Sequence, residues 1–310
     1  MQIETDIKVK ESFKKHFSCL TNYDEFMKYN LKYLKRAIRV NTLKISIEEL
    51  KKRIPKKWKL TPVPWCKEGF WIENKERRDV GNLIEHSLGY IYVQEPASMI
   101  PPIILDPQPG DTILDMCASP GSKTTQIAMY MKNEGLLIAN DYKGIRLKPL
   151  GLNLQRCGVN NAVITLMSGT RFYNSKLEFD KILVDAPCSG TGTIRKSIKT
   201  LQIWNENMTK KLANEQKRLI ETAFLKLKKN GVLVYSTCSV EPIENEAVIS
   251  YLLNKYPNAY TEKIELNIKR SSPIMEFEDE KYHKGVKNVL RIWPQDNDTE
   301  GFFVTRIRKK

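Results

Sequence analysis

From about residue 86 onward, apolar runs of strand length alternate with helix-periodic segments, and this alternation restricts the chain to βαβ units around a parallel sheet. The runs are 112–115, 135–141, 162–166, 179–185 and 231–235. Between the last two, Leu212, Leu219, Ile220, Ala223, Phe224 and Leu227 recur at helical spacing among Lys and Glu, which predicts a helix covering the sheet. Near the C-terminus, Leu290-Arg-Ile-Trp-Pro and Gly301-Phe-Phe-Val-Thr-Arg-Ile read as an antiparallel hairpin closing the sheet edge, joined by a polar loop over 295–300. Residues 1–80 differ in kind. A helical Lys/Tyr/Phe-rich stretch leads to Ala37-Ile-Arg-Val-Asn-Thr-Leu-Lys44, a helix over 46–53 opened by a Ser cap, and strand-like pieces bearing Trp58, Trp65 and Trp71. The expected organisation is a small basic α+β module over 1–85 followed by a larger α/β domain over 86–310.

Charge narrows the partners. Lys and Arg outnumber Asp and Glu by 51 to 36, a net of +15, which favours a polyanion over a small neutral ligand. Residues 1–80 hold 20 Lys and Arg against 11 Asp and Glu, so the N-terminal quarter is the expected electrostatic grip; a merely solvated basic surface is the plainer alternative. Six cysteines without a C-x-x-C pair and three isolated histidines (His16, His86, His283) indicate neither a metal site nor a disulfide framework, and a reducing cytoplasm fits best. Met1-Gln-Ile-Glu-Thr-Asp lacks an apolar signal core, and no run approaches the ~18 apolar residues of a membrane helix, so a soluble, unexported protein is expected.

Two cysteines occupy nearly equivalent places: Cys188 in Leu183-Val-Asp-Ala-Pro-Cys-Ser and Cys238 in Leu233-Val-Tyr-Ser-Thr-Cys-Ser. Buried strands of an α/β sheet deliver their carboxyl ends to the ligand crevice, so both thiols would face the same bound molecules. Upstream, Leu114-Asp-Met-Cys-Ala-Ser-Pro-Gly-Ser-Lys-Thr124 joins a strand to a helix, placing backbone N–H groups near Gly121 at that crevice. Neither the phosphate-loop pattern nor the dinucleotide fingerprint is present. Asp141 ends the second strand, where a carboxylate can take both hydroxyls of a ribose, and this pairing suits S-adenosylmethionine. Cofactor contact is therefore expected from Cys117, Ala118, Ser119, Pro120, Gly121, Ser122 and Lys123 in the turn and from Asp141, with Arg146 supporting the cofactor or contacting a phosphate. Cys117 and Cys157 read as small packing residues rather than catalysts. Cys19 and Cys66 carry no signal.

The turn, Asp185-Ala-Pro-Cys188-Ser-Gly-Thr-Gly and Ser236-Thr-Cys238-Ser, in this order, resemble the Nop/Sun family of RNA cytosine-5 methyltransferases, the archaeal tRNA type most of all. Supporting stretches are Arg39-Val-Asn-Thr-Leu-Lys44, Tyr92-Val-Gln-Glu-Pro-Ala-Ser-Met-Ile-Pro101 and Glu300-Gly-Phe-Phe-Val, so the likeness covers about 35–308. The resemblance implies a Rossmann-like methyltransferase sheet with helices on both faces, S-adenosylmethionine as cofactor, and an RNA substrate, tRNA first and rRNA as the alternative. It implies that Cys238 attacks carbon 6 of cytosine and that Cys188 assists product release; in the analogous DNA enzymes the Pro-Cys thiol attacks. The chemistry needs such a thiol because carbon 5 is too weak a nucleophile until something adds to carbon 6. Asp185 would hydrogen-bond the ring in a protonated or proton-sharing state, and Lys123 would reach the substrate or handle protons, although a lysine opening a helix is ordinarily exposed.

Two departures from the family pattern stand out: Ser122 replaces a second glycine, and Ser168 stands where an adenine-binding Asp is usual; a Ser can still accept from an amino group, so cofactor contact is expected at Ser168, and the resemblance implies it at Asp185 as well. The first is mild if position 122 needs no positive φ. A monomer is expected, with no further RNA-binding domain appended. Two other classes remain open: an RNA-binding assembly factor with a vestigial methyltransferase core, and a methyltransferase of protein or DNA.

Overall fold

The structure, a computed structural model, describes residues 9–76 and 79–310. The opening Met1-Gln-Ile-Glu-Thr-Asp lies outside the described residues.

Strands β1 (Ala37–Val40), β2 (Lys59–Val63), β3 (Cys66–Glu73) and β4 (Ile91–Val93) form an antiparallel sheet in the order β2-β3-β1-β4. Ile38, Val40, Phe70, Ile72 and Ile91 pack there on Leu50, Ile54 and Trp58. Leu50 comes from the helix Ile47–Arg53, which begins with a capping box between Ser46 and Glu49, as the Ser cap foretold. The last strand of this sheet lies beyond residue 85, so the small unit reaches Val93.

β5 (Thr112–Asp115), β6 (Leu136–Asp141), β7 (Ala162–Leu166), β8 (Phe179–Asp185) and β9 (Leu227–Thr237) are mutually parallel where they pair. Further on come β10 (Ala259–Glu262), the two-residue strands β11 (Glu276–Phe277) and β12 (Glu280–Lys281), β13 (Leu290–Ile292) and β14 (Phe302–Lys309). The large sheet runs β10-β14-β9-β8-β5-β6-β7, with β13 paired to β14. Ile182 and Val184 pack into one hydrophobic cluster while Leu183 joins another, the period-two alternation of a sheet covered on both faces. Helices Glu206–Lys226 and Glu246–Lys255 cover the first face, and Ile100–Leu105 and Ser122–Tyr130 the second. Each fully buried side chain of this kind, Phe224 or Ile127 for example, contributes roughly 1.5–3 kcal/mol.

Three expectations are corrected. The hairpin of β13 and β14 forms, but β14 inserts between β9 and β10 rather than closing the sheet, and the edge belongs to β10, whose four residues are too few to announce a strand. The polar loop over 295–300 contains a turn of helix, Pro294–Asn297, because proline pre-sets the φ of a first helical turn. Leu227 leaves the covering helix: it takes an extended conformation (φ −78°, ψ 131°) and pairs with Phe179 as the first residue of β9.

A buried ion pair ties the chain after β9 to β13. Arg291 donates from Nε to Glu246 Oε1 at 2.7 Å and from Nη2 to Oε2 at 2.5 Å, and from Nη1 to the Val240 carbonyl at 2.9 Å. Removing one partner strands the other charge, so Glu246→Leu should cost about 3–5 kcal/mol, measured as a lowered urea midpoint. Among the described residues no helix is long and apolar enough to cross a membrane, and no group of three or more His, Cys, Asp or Glu is placed to hold a metal ion.

Candidate active site

Strand order reverses at β5, which lies between β6 and β8, and ligands of open α/β sheets bind at the carboxyl ends of strands around such a switch point. A cavity of 460 Å³ opens there, lined by Asp115, Ser119, Lys123, Asp185, Cys238 and Phe302 among others. It has the size of a small-molecule site.

The turn after β5 closes through the Ala118 N–H, which donates to the Asn140 carbonyl at 2.8 Å. Gly121 sits at φ 101°, and a Cβ there would meet Leu150 Cδ1 at 3.1 Å, so this glycine is required twice over. Ser122 is instead the first residue of the following helix, and its replacement of glycine costs the turn nothing in backbone strain. Ala118, Ser119, Pro120 and Ser122 line the cavity, as does the half-buried Cys117. Asp115, 1 % exposed, accepts from Thr124 Oγ1 at 2.7 Å through one oxygen, while Oδ1 has no partner. Burial raises this carboxyl to about 7, against the Thr124 hydrogen bond that lowers it. An orphaned acceptor facing a cavity of this size fits a ligand that brings an amino group, as the methionine end of S-adenosylmethionine does.

Asp141 and Arg146 brace the turn from behind. Asp141 Oδ2 accepts the Ser119 N–H at 3.3 Å and Oδ1 the Lys143 N–H at 3.1 Å, with Arg146 Nη1 3.4 Å from Oδ2. Arg146 Nη2 donates to the Ser119 carbonyl and the Ser119 hydroxyl to the Arg146 carbonyl, both at 2.7 Å. Ser168 follows β7, exposed and 2.8 Å from Thr170 Oγ1, and lines a separate open cavity with Arg171, Tyr173 and Arg218.

Lys123 is buried, not exposed. Its Nζ lies 2.7 Å from Asp185 Oδ2 and 3.0 Å from Ser98 Oγ, above the Phe302 ring. Burial pulls its pKa down, but Asp185 outweighs this and the ammonium is raised overall. Asp185 Oδ1 accepts from Ser236 Oγ at 2.7 Å, so the carboxylate is clamped between β9 and the turn helix.

The two thiols meet. Cys188 Sγ and Cys238 Sγ are 3.3 Å apart, brought together by loops that leave β8 and β9 side by side. The Gly192 N–H donates to the Cys238 carbonyl at 3.0 Å. Buried Glu244 holds both loops, accepting from the Ser189 N–H at 2.9 Å and from Ser239 Oγ at 3.1 Å. The hydrogen bond with Cys238 and then burial push the Cys188 thiol well above its ordinary pKa. Glu95, Ser98 and Glu300, which no local sequence pattern marks as functional, also line the cavity.

Cys157 is buried between the small unit and the larger one, its carbonyl accepting from Asn41, and Cys66 is likewise buried. His16 is 2.7 Å from Glu241 Oε2, whose other oxygen accepts from Trp204 Nε1 at 2.7 Å. The helices Glu11–Ser18 and Tyr23–Asn30 pack on this side of the larger unit through Phe13, Phe17 and Phe26 against Trp204, Val240 and Trp293.

Comparison with known proteins gives consistent likenesses. The 16S rRNA methyltransferase RsmB/F family matches residues 102–308, and the N-terminal domain of 16S rRNA methyltransferase RsmF matches residues 10–96. A tRNA (cytosine(49)-C(5))-methyltransferase of Pyrococcus abyssi is 48% identical over 97% of this chain and 98% of its own. A ribosomal RNA small subunit methyltransferase F of Shewanella oneidensis is 43% identical over 92% of this chain and 60% of its own, so the chain spans less than two thirds of that relative. Among solved structures, a methyltransferase homologue from Pyrococcus horikoshii superposes with a TM-score of 0.82 at 36% identity, covering 97% of this chain and 100% of that one. NSun6 from Pyrococcus horikoshii, solved with SFG, gives 0.85 at 25% identity over 97% and 98%.

Proposed function

This chain belongs to the RsmB/F family of RNA methyltransferases, and on that premise we propose that it methylates carbon 5 of a cytosine in RNA through a covalent adduct with Cys238. The observation that carries the reading is the pair of thiols 3.3 Å apart beside the Lys123–Asp185 ion pair, with Cys238 in the same cavity as the turn after β5.

S-adenosylmethionine supplies an electrophilic methyl group, and the SFG-bound relative is solved with an analogue of it. The turn residues Cys117 to Lys123 would hold it, with Asp115 Oδ1 free for its amino group and Asp141 and Arg146 bracing the turn. Cys238 adds to carbon 6, and Lys123 is placed to donate to the ring's acceptors as negative charge develops there. Asp185 shares a hydrogen bond with Lys123 Nζ at 2.7 Å and orients it. Carbon 5, now enamine-like, takes the methyl group; a base removes the carbon 5 proton, and the Cys238–carbon bond breaks with its electron pair returning to sulfur. Cys188 lies against the sulfur that must leave. When protonated, its S–H is a donor to Cys238 whenever that sulfur carries negative charge.

Such chemistry requires the base outside its stack, and the basic N-terminal unit, 1–85 extended to Val93, is the natural grip on the flanking RNA. The relative aligned over almost its whole length acts on tRNA, and tRNA is the substrate we favour, with rRNA the alternative. Incubation with labelled S-adenosylmethionine and total RNA, followed by nucleoside analysis, should yield 5-methylcytidine; label in protein or DNA instead would end this reading. Ser168 lines a cavity apart from the turn, so Ser168→Ala should leave cofactor affinity within twofold in calorimetry, whereas a loss of about 2- to 10-fold, the worth of one hydrogen bond, would tie it to the cofactor. Unchanged affinity would remove Ser168 from the adenine site.

A further inference from the structure

Cytosine and uracil differ in polarity at carbon 4, two ring atoms from the carbon that accepts the thiol: cytosine offers an amino donor where uracil offers a carbonyl acceptor. An enzyme confined to cytosine needs an acceptor at that place. One wall of the cavity provides a candidate that the chemistry above leaves unused.

Glu300 is 4 % exposed and lines the cavity that holds Cys238, Lys123 and Asp185. Its Oε1 has no hydrogen-bond partner. A buried carboxylate oxygen left without a donor costs about 1–3 kcal/mol or more, so its retention calls for a ligand. The backbone sets it close to the nucleophile: the Gly301 N–H donates to the Gly192 carbonyl at 2.8 Å, and the Gly192 N–H donates to the Cys238 carbonyl. Glu95 stands behind it. Glu95 Oε1 accepts the Glu300 N–H and Oε2 the Ser98 N–H, each at 3.1 Å, so the Glu95 carboxyl is occupied by backbone while that of Glu300 is not. Burial, then Glu300, raises Glu95 to about 8. Burial likewise raises Glu300, against the pull of Lys196, Lys123 and Arg195.

The same wall faces outward. An adjoining cavity of 240 Å³ shares Gln94, Glu95, Lys196 and Glu300 with the first and is lined beyond them by Lys35, Arg36 and Arg195. A strand of RNA drawn along Lys35 and Arg36 would bring a flipped base past Glu300 on its way to Cys238.

We propose that the Glu300 carboxylate accepts the exocyclic amino group of the target cytosine, so that Glu300 selects cytosine over uracil and Glu95 is its positioning residue. The inference rests on the reading of this cavity as the site of cytosine-5 methylation. Lys123, a donor, would face the ring's acceptors, and Glu300, an acceptor, its donor. Uracil would set its carbonyl oxygen against the carboxylate.

The test pairs one side chain with one substrate group. The full-length protein methylates transcripts of the RNA identified by nucleoside analysis, carrying at the target position either cytidine or the pyrimidin-2-one riboside that lacks the amino group. The wild type should prefer cytidine by about 10- to 100-fold in kcat/KM, the usual worth of one base contact. In Glu300→Ala that ratio should fall toward one, with cofactor affinity unchanged within twofold. Because Oε1 has no partner to strand, the variant should melt no lower than the wild type. Glu300→Gln, the same shape without the charge, serves if the alanine variant does not fold, and its ratio should fall between the two. A ratio unaltered in the variant, or a wild type indifferent to the amino group, overturns the proposal. Failure to form 5-methylcytidine from any transcript would instead overturn the parent reading.

Discussion

Cys238→Ala is expected to lower methyl transfer by at least about 10⁴-fold, because without addition at carbon 6 the ring has no carbon nucleophile to offer. The variant should keep its fold and its cofactor affinity. The thiol's hydrogen-bonding partner is Cys188, a weak donor at 3.3 Å, and the loop is held by other groups: the Gly192 N–H on the Cys238 carbonyl and Asn245 Nδ2 on the Ser239 carbonyl at 2.9 Å. Single-turnover assays with labelled S-adenosylmethionine measure the loss, and calorimetry the retained affinity. A variant within tenfold of the wild type would exclude Cys238 as nucleophile.

Cys188→Ala should behave in the opposite manner, trapping protein on RNA as an adduct that survives denaturing electrophoresis. The departing Cys238 sulfur takes the electron pair of the bond to carbon 6 and needs a donor, and the S–H 3.3 Å away is that donor. Its loss raises the cost of a thiolate during attack as well. Attack, however, is drawn forward by methyl transfer, whereas release has no later step to draw it, so the adduct should accumulate to a substantial fraction of the enzyme while turnover falls about 10²-fold or more. Adduct on Cys238→Ala and none on Cys188→Ala would exchange the two roles.

What the sequence discloses here depends on distance along the chain. The five parallel strands, the turn at Gly121 and the placement of both thiols follow from local patterns, because apolar runs, glycine and strand-end positions carry their meaning within about ten residues. Lys123 shows where local reasoning stops. A lysine opening a helix is ordinarily solvated, and only the approach of Asp185, 62 positions away, makes a buried one tolerable. Glu95 and Glu300 meet across 205 positions, and no periodicity of either segment announces it. Strand β10 escaped notice for a different reason: with Tyr260 and Glu262 turned outward among four residues, its pattern is too short to distinguish from a loop. The first two helices repeat Phe13 and Phe17 at helical spacing, which identifies an apolar face but not the Trp204 and Trp293 surface that receives it.

That reception has a practical consequence for anyone wishing to divide the molecule. Composition suggests a seam near residue 85, and a fragment beginning there would retain both thiols and the whole large sheet. It would also lose Phe13, Phe17 and Phe26, each fully buried and each worth roughly 1.5–3 kcal/mol, and lay bare Trp204, Val240 and Trp293. Glu241, three residues beyond Cys238, would lose its contact with His16. Such a fragment should be sticky and poorly soluble. The N-terminal unit and the cavity are not cassettes that can be exchanged at a boundary: the first two helices serve as a splint for the loop that carries Cys238.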